Sequence, residues 1–313
     1  MKLIIAFLRL IRWPNLVFII ITQLVFEKCI YERIYPESSM VEWQSLMRFA
    51  SLIVATVFIA AGGYIINDYF DQNIDQINKP DKVVVNRIIS RRWVIFWHLF
   101  LSLTGLLLTI YALPVNQYWH LLLANIFAVF ALWFYSTTLK KKLLIGNVLI
   151  SLLTAWVIGI LFFAKFPLTE VDFINLQNQK GHYFRLMILY ASFAFIISLI
   201  REVIKDMEDV EGDRKYGCTT MPIALGIVVS KVFVSVWMVV LVAALLILQI
   251  YALGIGWWLS VVYAILLVIT PLLISFKLLM KANTAKDFHQ ISTLVKFIMF
   301  TGILSMIFFK LYL

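Results

Sequence analysis

Charged residues are scarce in this chain of 313 residues, since aspartate, glutamate, lysine and arginine together make up 14% of it. A soluble globular domain carries about 25% charged and roughly 45–50% apolar residues. Here 63% of the residues are hydrophobic and the mean hydropathy is +0.93. A soluble protein of this size would lack the polar residues to cover its surface, whereas helices that face lipid can be apolar on every side. The composition therefore excludes a soluble domain and predicts an all-α, polytopic membrane protein.

Cysteine and histidine are also rare. Cys29 and Cys218 lie far apart and match no metal-binding spacing, and the four histidines are scattered singly. We interpret all six as ordinary residues. The net charge of +10 is typical of basic cytoplasmic loops, so we expect no nucleic acid and no protein partner. No long linker or low-complexity stretch is present, and we expect a single domain over residues 1–313.

Nine apolar segments approach the length of about 20 residues that a membrane-spanning helix needs. We predict a bundle of nine transmembrane helices around a central cavity. The basic N-terminus, with Lys2, Arg9 and Arg12, reads as an uncleaved interfacial helix. The predicted spans cover residues 15–26, 46–66, 94–113, 118–136, 145–163, 184–200, 227–252, 257–276 and 293–312.

The basic residues are unevenly distributed between the predicted loops. If the N-terminus is cytoplasmic, 20 of the 27 lysines and arginines fall on the cytoplasmic side. Cytoplasmic loops of membrane proteins are rich in these residues. We therefore predict a protein of the cell (inner) membrane with its N-terminus inside and, after nine spans, its C-terminus outside.

Ten of the 17 acidic residues lie in two short segments on the predicted cytoplasmic side, residues 68–81 and 202–213. In the first, Asn67, Asp71 and Asp75 are spaced four apart, with Asp68 beside them. Side chains four residues apart lie on one face of a helix. We therefore expect a stripe of oxygen ligands at the cytoplasmic end of the second span.

In the second segment, Glu202, Asp206, Asp209 and Asp213 fall at i, i+4, i+7 and i+11, which is one face of a helix. Two stripes of carboxylates on one side of a membrane repel each other unless a cation lies between them. Oxygen ligands suit Mg²⁺, which prefers one or two carboxylates plus phosphates. The missing histidine and cysteine argue against zinc. We predict a diphosphate held by Mg²⁺ between the two helices.

Basic residues follow or flank both stripes and are candidates for binding a departing diphosphate. The run from Lys140 to Lys142 is more typical of a membrane anchor. Aromatic residues make up 15% of the chain, and some could line a tunnel and stabilise an allylic cation.

At these residues the chain resembles the UbiA superfamily of intramembrane prenyltransferases, which has nine helices and the motifs N-D-x-x-D-x-x-x-D and D-x-x-x-D. Residues 67–75 match the first motif, and residues 209–213 match the second. Further matches lie at residues 12–15, 78–80, 135–136 with 139–140, and 217–222. One departure is the Lys82-Val83 pair, where the family often has Arg-Pro.

The resemblance implies Mg²⁺-assisted transfer of a prenyl group from a prenyl diphosphate to a lipophilic acceptor in the lipid bilayer. It implies catalytic roles for Asn67, Asp68, Asp71, Asp75, Asp206, Asp209 and Asp213. The implied metal ligands are Asn67, Asp71, Asp75, Asp209 and Asp213. The implied substrate-binding residues are Lys79, Lys82, Arg87, Lys140, Arg201, Glu202 and Lys205.

Residues 201–213 are most similar to the branch of that family that makes digeranylgeranylglyceryl phosphate, in which the acceptor is a glycerol phosphate ether lipid. Three alternatives stay open. One is prenylation of an aromatic acid in quinone biosynthesis, the second is a cation-coupled secondary transporter, and the third is a catalytically idle subunit. Transporter sites usually lie near the bilayer midplane, whereas both stripes lie at predicted helix ends, which favours the enzyme.

Overall fold

The computed structural model describes residues 2–39, 43–80, 83–168 and 178–313. These residues are almost entirely helical, as predicted, and β pairing within them is confined to an isolated bridge between Val85 and Ile89. The helices are α1 (Lys2–Leu10), α2 (Trp13–Phe26), α3 (Glu32–Ile34), α4 (Trp43–Asn78), α5 (Arg91–Ala112), α6 (Val115–Thr137), α7 (Ile145–Lys165), α8 (Asn178–Glu208), α9 (Val210–Lys215), α10 (Met221–Ala224), α11 (Ile227–Gly254), α12 (Trp258–Ala264), α13 (Thr270–Lys281), α14 (Ala285–Leu304) and α15 (Ile307–Tyr312).

Within the described ranges, nine helical stretches are long and apolar enough to cross a membrane, which confirms the predicted number of spans. They run over Trp13–Ile34, Gln44–Asn78, Arg91–Ala112, Val115–Thr137, Ile145–Lys165, Asn178–Glu208, Ile227–Gly254, Trp258–Lys281 and Ala285–Tyr312. The second span is much longer than predicted, because α4 continues through the first acidic segment to Asn78. The helix α4 ends two residues before Pro80. A proline disfavours the helical conformation of the residue that precedes it, here Lys79.

Two spans contain a short π-helical segment. Glu27–Tyr31 lies between α2 and α3, and Ile265–Ile269 lies between α12 and α13. Pro271 follows the second segment at the start of α13, and a proline without a backbone N–H is a common cause of such a widened turn. Because Glu27–Tyr31 separates α2 from α3, the first span includes two α-helices where the sequence predicted one.

The chain forms two compact units, each built from three separate stretches. The first comprises Met1–Leu24, Tyr35–Lys140 and Trp156–Met187. Its core joins α1, α4, the segment after the first acidic motif, and α5 through Ala6, Leu10, Leu16, Ala61, Ile65, Val84, Val85, Ile89, Val94 and Leu101. α1 is a separate helix before the first span, as predicted. Ala6 and Leu10 of α1 pack in this core with α4 and with the segment that follows it.

The second unit comprises Val25–Ile34, Lys141–Ala155 and Ile188–Leu313. The apolar face of α8 is the centre of its core and packs with residues of α11, α13 and α14. The buried members include Ile197, Ile200, Val203, Ile204, Met207, Val234, Met238, Leu272, Leu279, Ile291, Val295 and Ile298. This packing leaves the acidic residues of α8 on the remaining sides of the same helix.

Candidate functional site

The first acidic motif occupies the last three turns of α4. Asn67 and Asp71 lie one turn apart, and Asn67 Nδ2 donates a hydrogen bond of 2.8 Å to Asp71 Oδ2. The helical spacing therefore brings these two side chains together, as predicted. Asp75 lies one turn further on the same helix and is half-buried.

Lys140 completes this group from a 3₁₀ turn, Leu139–Lys141, that follows α6. Its Nζ donates to Asp71 Oδ1 and lies 3.5 Å from Asn67 Oδ1. The side chains of Lys140 and Asp71 are only 10% and 16% exposed. The ion pair is therefore largely withdrawn from water, where removing one partner leaves a poorly compensated charge. The Lys140 ammonium group is therefore held beside Asn67 and Asp71, whereas the sequence favoured a membrane anchor for the run from Lys140 to Lys142.

Asp68 has a different partner. Arg12 Nη2 donates a hydrogen bond of 2.8 Å to Asp68 Oδ1, and the guanidinium lies 5.2 Å from the centre of the Tyr64 ring. Arg12 lies between α1 and α2 and has a φ of 50°, which is uncommon for a residue with a side chain. Such a conformation persists where surrounding contacts determine it. The ion pair between Arg12 and Asp68 therefore connects the junction of α1 and α2 to the C-terminal part of α4.

The basic residues after the first motif are arranged less closely around it. Lys79 continues from α4, with its backbone N–H bonded to Asp75 O at 2.8 Å. Arg87 is exposed and donates a hydrogen bond of 2.7 Å to Pro80 O, so its contact lies within the segment that follows α4. The predicted substrate-binding residue Lys82 lies outside the described residues.

The second acidic segment, residues 202–213, is divided between two helices, and the prediction of a single helix was wrong. α8 ends at Glu208, Asp209 has φ −98° and ψ 8°, and α9 begins at Val210. These dihedral angles fall in the sparsely occupied bridge region, which is frequent at active sites. Backbone hydrogen bonds still join Asp209 N to Lys205 O at 2.9 Å and Asp213 N to Asp209 O at 3.1 Å. The helix is therefore bent at Asp209 and not interrupted by a loop.

Before the bend, two carboxylates of α8 are paired with basic side chains. Glu202 accepts from Arg201 Nη1 at 3.1 Å and lies 3.6 Å from Lys205 Nζ. Glu208 lies 2.9 Å from His289 Nδ1 of α14. The three substrate-binding candidates on this helix therefore form one local network around Glu202.

Asp206 is bonded to a residue that we did not predict. Asn147 Nδ2 on α7 donates a hydrogen bond of 2.8 Å to Asp206 Oδ2, and Asn147 is only 7% exposed. A signal was present in the sequence, because Asn147, Ser151 and Thr154 form a polar stripe at helical spacing on an apolar span. Arg12 and His289 are two further partners of acidic residues that the sequence did not predict.

The donor chemistry fits a hard divalent cation. Among the described residues, no three side chains of His, Cys, Asp or Glu come together as a metal-binding group. Mg²⁺ needs no such group, because it commonly takes one or two carboxylates and completes its shell with phosphates and water. Asn67 and Asp71 supply oxygen atoms of this kind.

The fold and these motifs define a class of membrane protein with acidic side chains at the ends of its spanning helices. The model of the UbiA prenyltransferase family matches residues 39–302, and the chain belongs to that family. A digeranylgeranylglyceryl phosphate synthase from Methanothermobacter thermautotrophicus is 36% identical over 208 residues, which cover 65% of this chain. The match spans 65% of that relative's own length, just under two thirds.

Two solved structures share the fold. One, from work on digeranylgeranylglyceryl phosphate synthase in membranes, has a TM-score of 0.59 at 23% identity and covers 98% of this chain and 99% of its own. The other is a UbiA homolog from Archaeoglobus fulgidus bound to DMAPP and Mg²⁺. It has a TM-score of 0.57 at 17% identity and covers 96% of this chain and 99% of its own. At these identities the likeness shows the fold alone.

Proposed function

We propose that this protein transfers a prenyl group from a prenyl diphosphate to the hydroxyl group of a lipophilic acceptor. The observation that carries the proposal is the group formed by Asn67, Asp71 and Lys140. This group lies at the end of a membrane-spanning helix, where its oxygen atoms would bind a cation and its ammonium would bind a phosphate. Membership of the UbiA prenyltransferase family supports the same reaction.

In this reaction the bond between the prenyl carbon and the diphosphate oxygen breaks, and the acceptor oxygen forms a new bond to that carbon and loses its proton. Mg²⁺, when bound, would neutralise charge that develops on the departing diphosphate. Within the protein, Lys140 is placed to offer a second positive charge to the same group. Asn67 holds Asp71 in a fixed orientation, so the carboxylate does not have to reorganise during the reaction.

We propose that both motifs serve this one reaction, as the sequence suggested. The metal ligands would be Asn67, Asp71, Asp75, Asp209 and Asp213. Asp68 and Asp206 would act in the catalytic site, and the contacts of Asp68 with Arg12 favour an anchoring role for it. The substrate-binding residues would be Lys79, Lys82, Arg87, Lys140, Arg201, Glu202 and Lys205.

The donor and acceptor that fit best are geranylgeranyl diphosphate and geranylgeranylglyceryl phosphate. Support comes from the name of the relative that is 36% identical and from the run of residues 201–213. A phosphate on the acceptor would also give a role to the basic residues beside both motifs. We further propose that the chain acts as one domain in the cell membrane, with the N-terminus and both motifs on the cytoplasmic side, where the positive-inside rule puts them.

The test is prenyl transfer by the purified protein in detergent. Labelled geranylgeranyl diphosphate and Mg²⁺ are offered with geranylgeranylglyceryl phosphate, 4-hydroxybenzoate or dihydroxynaphthoate, and products are identified by mass. We expect digeranylgeranylglyceryl phosphate and one diphosphate for each molecule formed. Transfer to an aromatic acid alone would establish the quinone alternative, and no transfer to any acceptor would refute the proposal.

A further inference from the structure

Polar side chains of α7 contact α8 at two levels. At the start of α7, Asn147 donates to Asp206 over 2.8 Å, and two turns further on the hydroxyls of Thr154 and Ser198 lie 3.3 Å apart. We call these four residues the α7–α8 seam. Polar groups are costly within a membrane-spanning helix unless they are paired or used. The contact of Asn147 involves a carboxylate of the second acidic segment and the contact of Thr154 does not, so the two contacts can be compared directly.

The Asn147 contact differs in charge from the contacts of Glu202 one turn earlier on α8. Glu202 is bonded to Arg201 and lies 3.6 Å from Lys205 Nζ. A cationic partner both orients a carboxylate and cancels much of its charge. An amide N–H orients a carboxylate through one oxygen but carries no net charge. Asn147 therefore holds the Asp206 carboxyl group in one orientation without supplying a counter-charge of its own.

We propose that Asn147 is a positioning residue that orients Asp206 for prenyl transfer. The inference rests on the proposed function, and it assigns to α7 a part in positioning the second acidic segment. Hydrogen bonds that orient a functional carboxylate typically affect activity by about tenfold to a hundredfold. A structural role in joining α7 to α8 would instead affect stability, and it would apply equally to the Thr154–Ser198 contact.

The variants separate these roles. Asn147→Leu removes the donor at similar volume, Asn147→Gln retains an amide donor, and Thr154→Val removes the other polar contact of the seam. For each we would measure kcat, the KM for geranylgeranyl diphosphate and the thermal unfolding midpoint. We expect Asn147→Leu to lower kcat at least about tenfold with little change in KM. Asn147→Gln should recover much of the loss, and Thr154→Val should keep the wild-type kcat.

A double-mutant cycle tests whether Asn147 acts through Asp206. Asn147→Leu should lower kcat in the wild-type background but not in the Asp206→Asn background, where there is no longer a carboxylate to orient. If Asn147→Leu fails to fold, the comparison uses Asn147→Gln and the double variant Asn147→Leu with Asp206→Asn. The double variant buries no unpaired carboxylate. In that case Asn147→Gln should exceed Asp206→Asn in kcat, and Asp206→Asn should match the double variant.

Three results would overturn the inference. The first is a wild-type kcat for Asn147→Leu. The second is an equal loss of kcat on Asn147→Leu in the wild-type and the Asp206→Asn backgrounds. The third is a kcat for Thr154→Val as low as that of Asn147→Leu. If the wild-type protein itself transfers no prenyl group to any acceptor, the proposed function fails and this inference fails with it. If the wild-type protein is active and Asn147→Leu equals it, only the inference fails.

Discussion

Glu208 and Asp209 are adjacent in the sequence, but Glu208 ends α8 and Asp209 lies at the bend. We predict that substitution of Glu208 affects stability and that substitution of Asp209 affects the rate of transfer. Glu208→Ala should lower stability by about 1 kcal/mol or less and leave the rate of prenyl transfer nearly unchanged. Asp209→Ala and Asp213→Ala should each lower the rate at least about a hundredfold, as expected for losing a metal ligand or a major interaction with transition-state charge.

The stability term follows from the contact of Glu208 with His289 over 2.9 Å. The His289 side chain is 56% exposed, whereas that of Glu208 is 10% exposed. An exposed ion pair contributes about 0.2–1 kcal/mol and a hydrogen bond to a neutral imidazole contributes about as much, so either form of this contact gives a loss of the predicted size. A hundredfold loss of rate corresponds to about 2.7 kcal/mol of activation free energy, so the two effects are readily separated.

The assay is the initial rate of transfer from labelled geranylgeranyl diphosphate, with thermal unfolding of each variant in the same detergent. His289→Ala is the matched control, because it removes the same pair from the other side and should reproduce the small loss of stability with a normal rate. If Glu208→Ala slowed transfer as much as Asp209→Ala, the bend after Glu208 would not separate a structural carboxylate from the catalytic ones. The assignment of the second motif would then have to be abandoned.

Three further predictions follow from other parts of the molecule. A chelator should abolish transfer and Mg²⁺ or Mn²⁺ should restore it, while the unfolding midpoint without substrate stays the same; full activity in excess chelator would contradict the metal assignment. Cysteines introduced at Lys142 and Asn178 should be labelled from the cytoplasmic and the outer side, respectively, and labelling from one side would refute the nine-span topology. Gly105→Ala should lower the unfolding midpoint, because its Cβ would lie 3.0 Å from Ala55 O and overpacking costs about 1–3 kcal/mol. Gly254→Ala, with open space around its Cβ, is the control, and an equal effect of both would contradict the close approach of α4 and α5.

The spans and the first motif could be predicted from the sequence because both depend on local periodicity. Asn67 and Asp71 are four residues apart, and a helix brings them within bonding distance whatever surrounds it. The bend at Asp209 has no such signal, since no proline precedes it and the carboxylate spacing remains periodic through Asp213. The spacing of the carboxylates therefore could not reveal it.

The partners of the carboxylates were also beyond prediction, because periodicity defines the faces of a helix but not which faces meet. Arg12 and Asp68 are 56 positions apart, and Asn147 and Asp206 are 59 apart. Both Arg12 and Asn147 were visible as polar residues next to or within apolar segments. Without the packing of the helices, either could equally have faced lipid headgroups or solvent.

These partners change the argument for the metal. From the sequence, Mg²⁺ was expected because two stripes of carboxylates would otherwise repel each other. The structure shows that Asp68 and Asp71 are each bonded to a basic side chain, Arg12 and Lys140. The protein therefore supplies cations to the end of α4 itself, and the folded state does not depend on a metal to offset these two charges. What remains for Mg²⁺ is the charge of the diphosphate, which no apolar span can neutralise. Metal dependence is then expected in substrate binding and turnover, and not in the stability of the free protein.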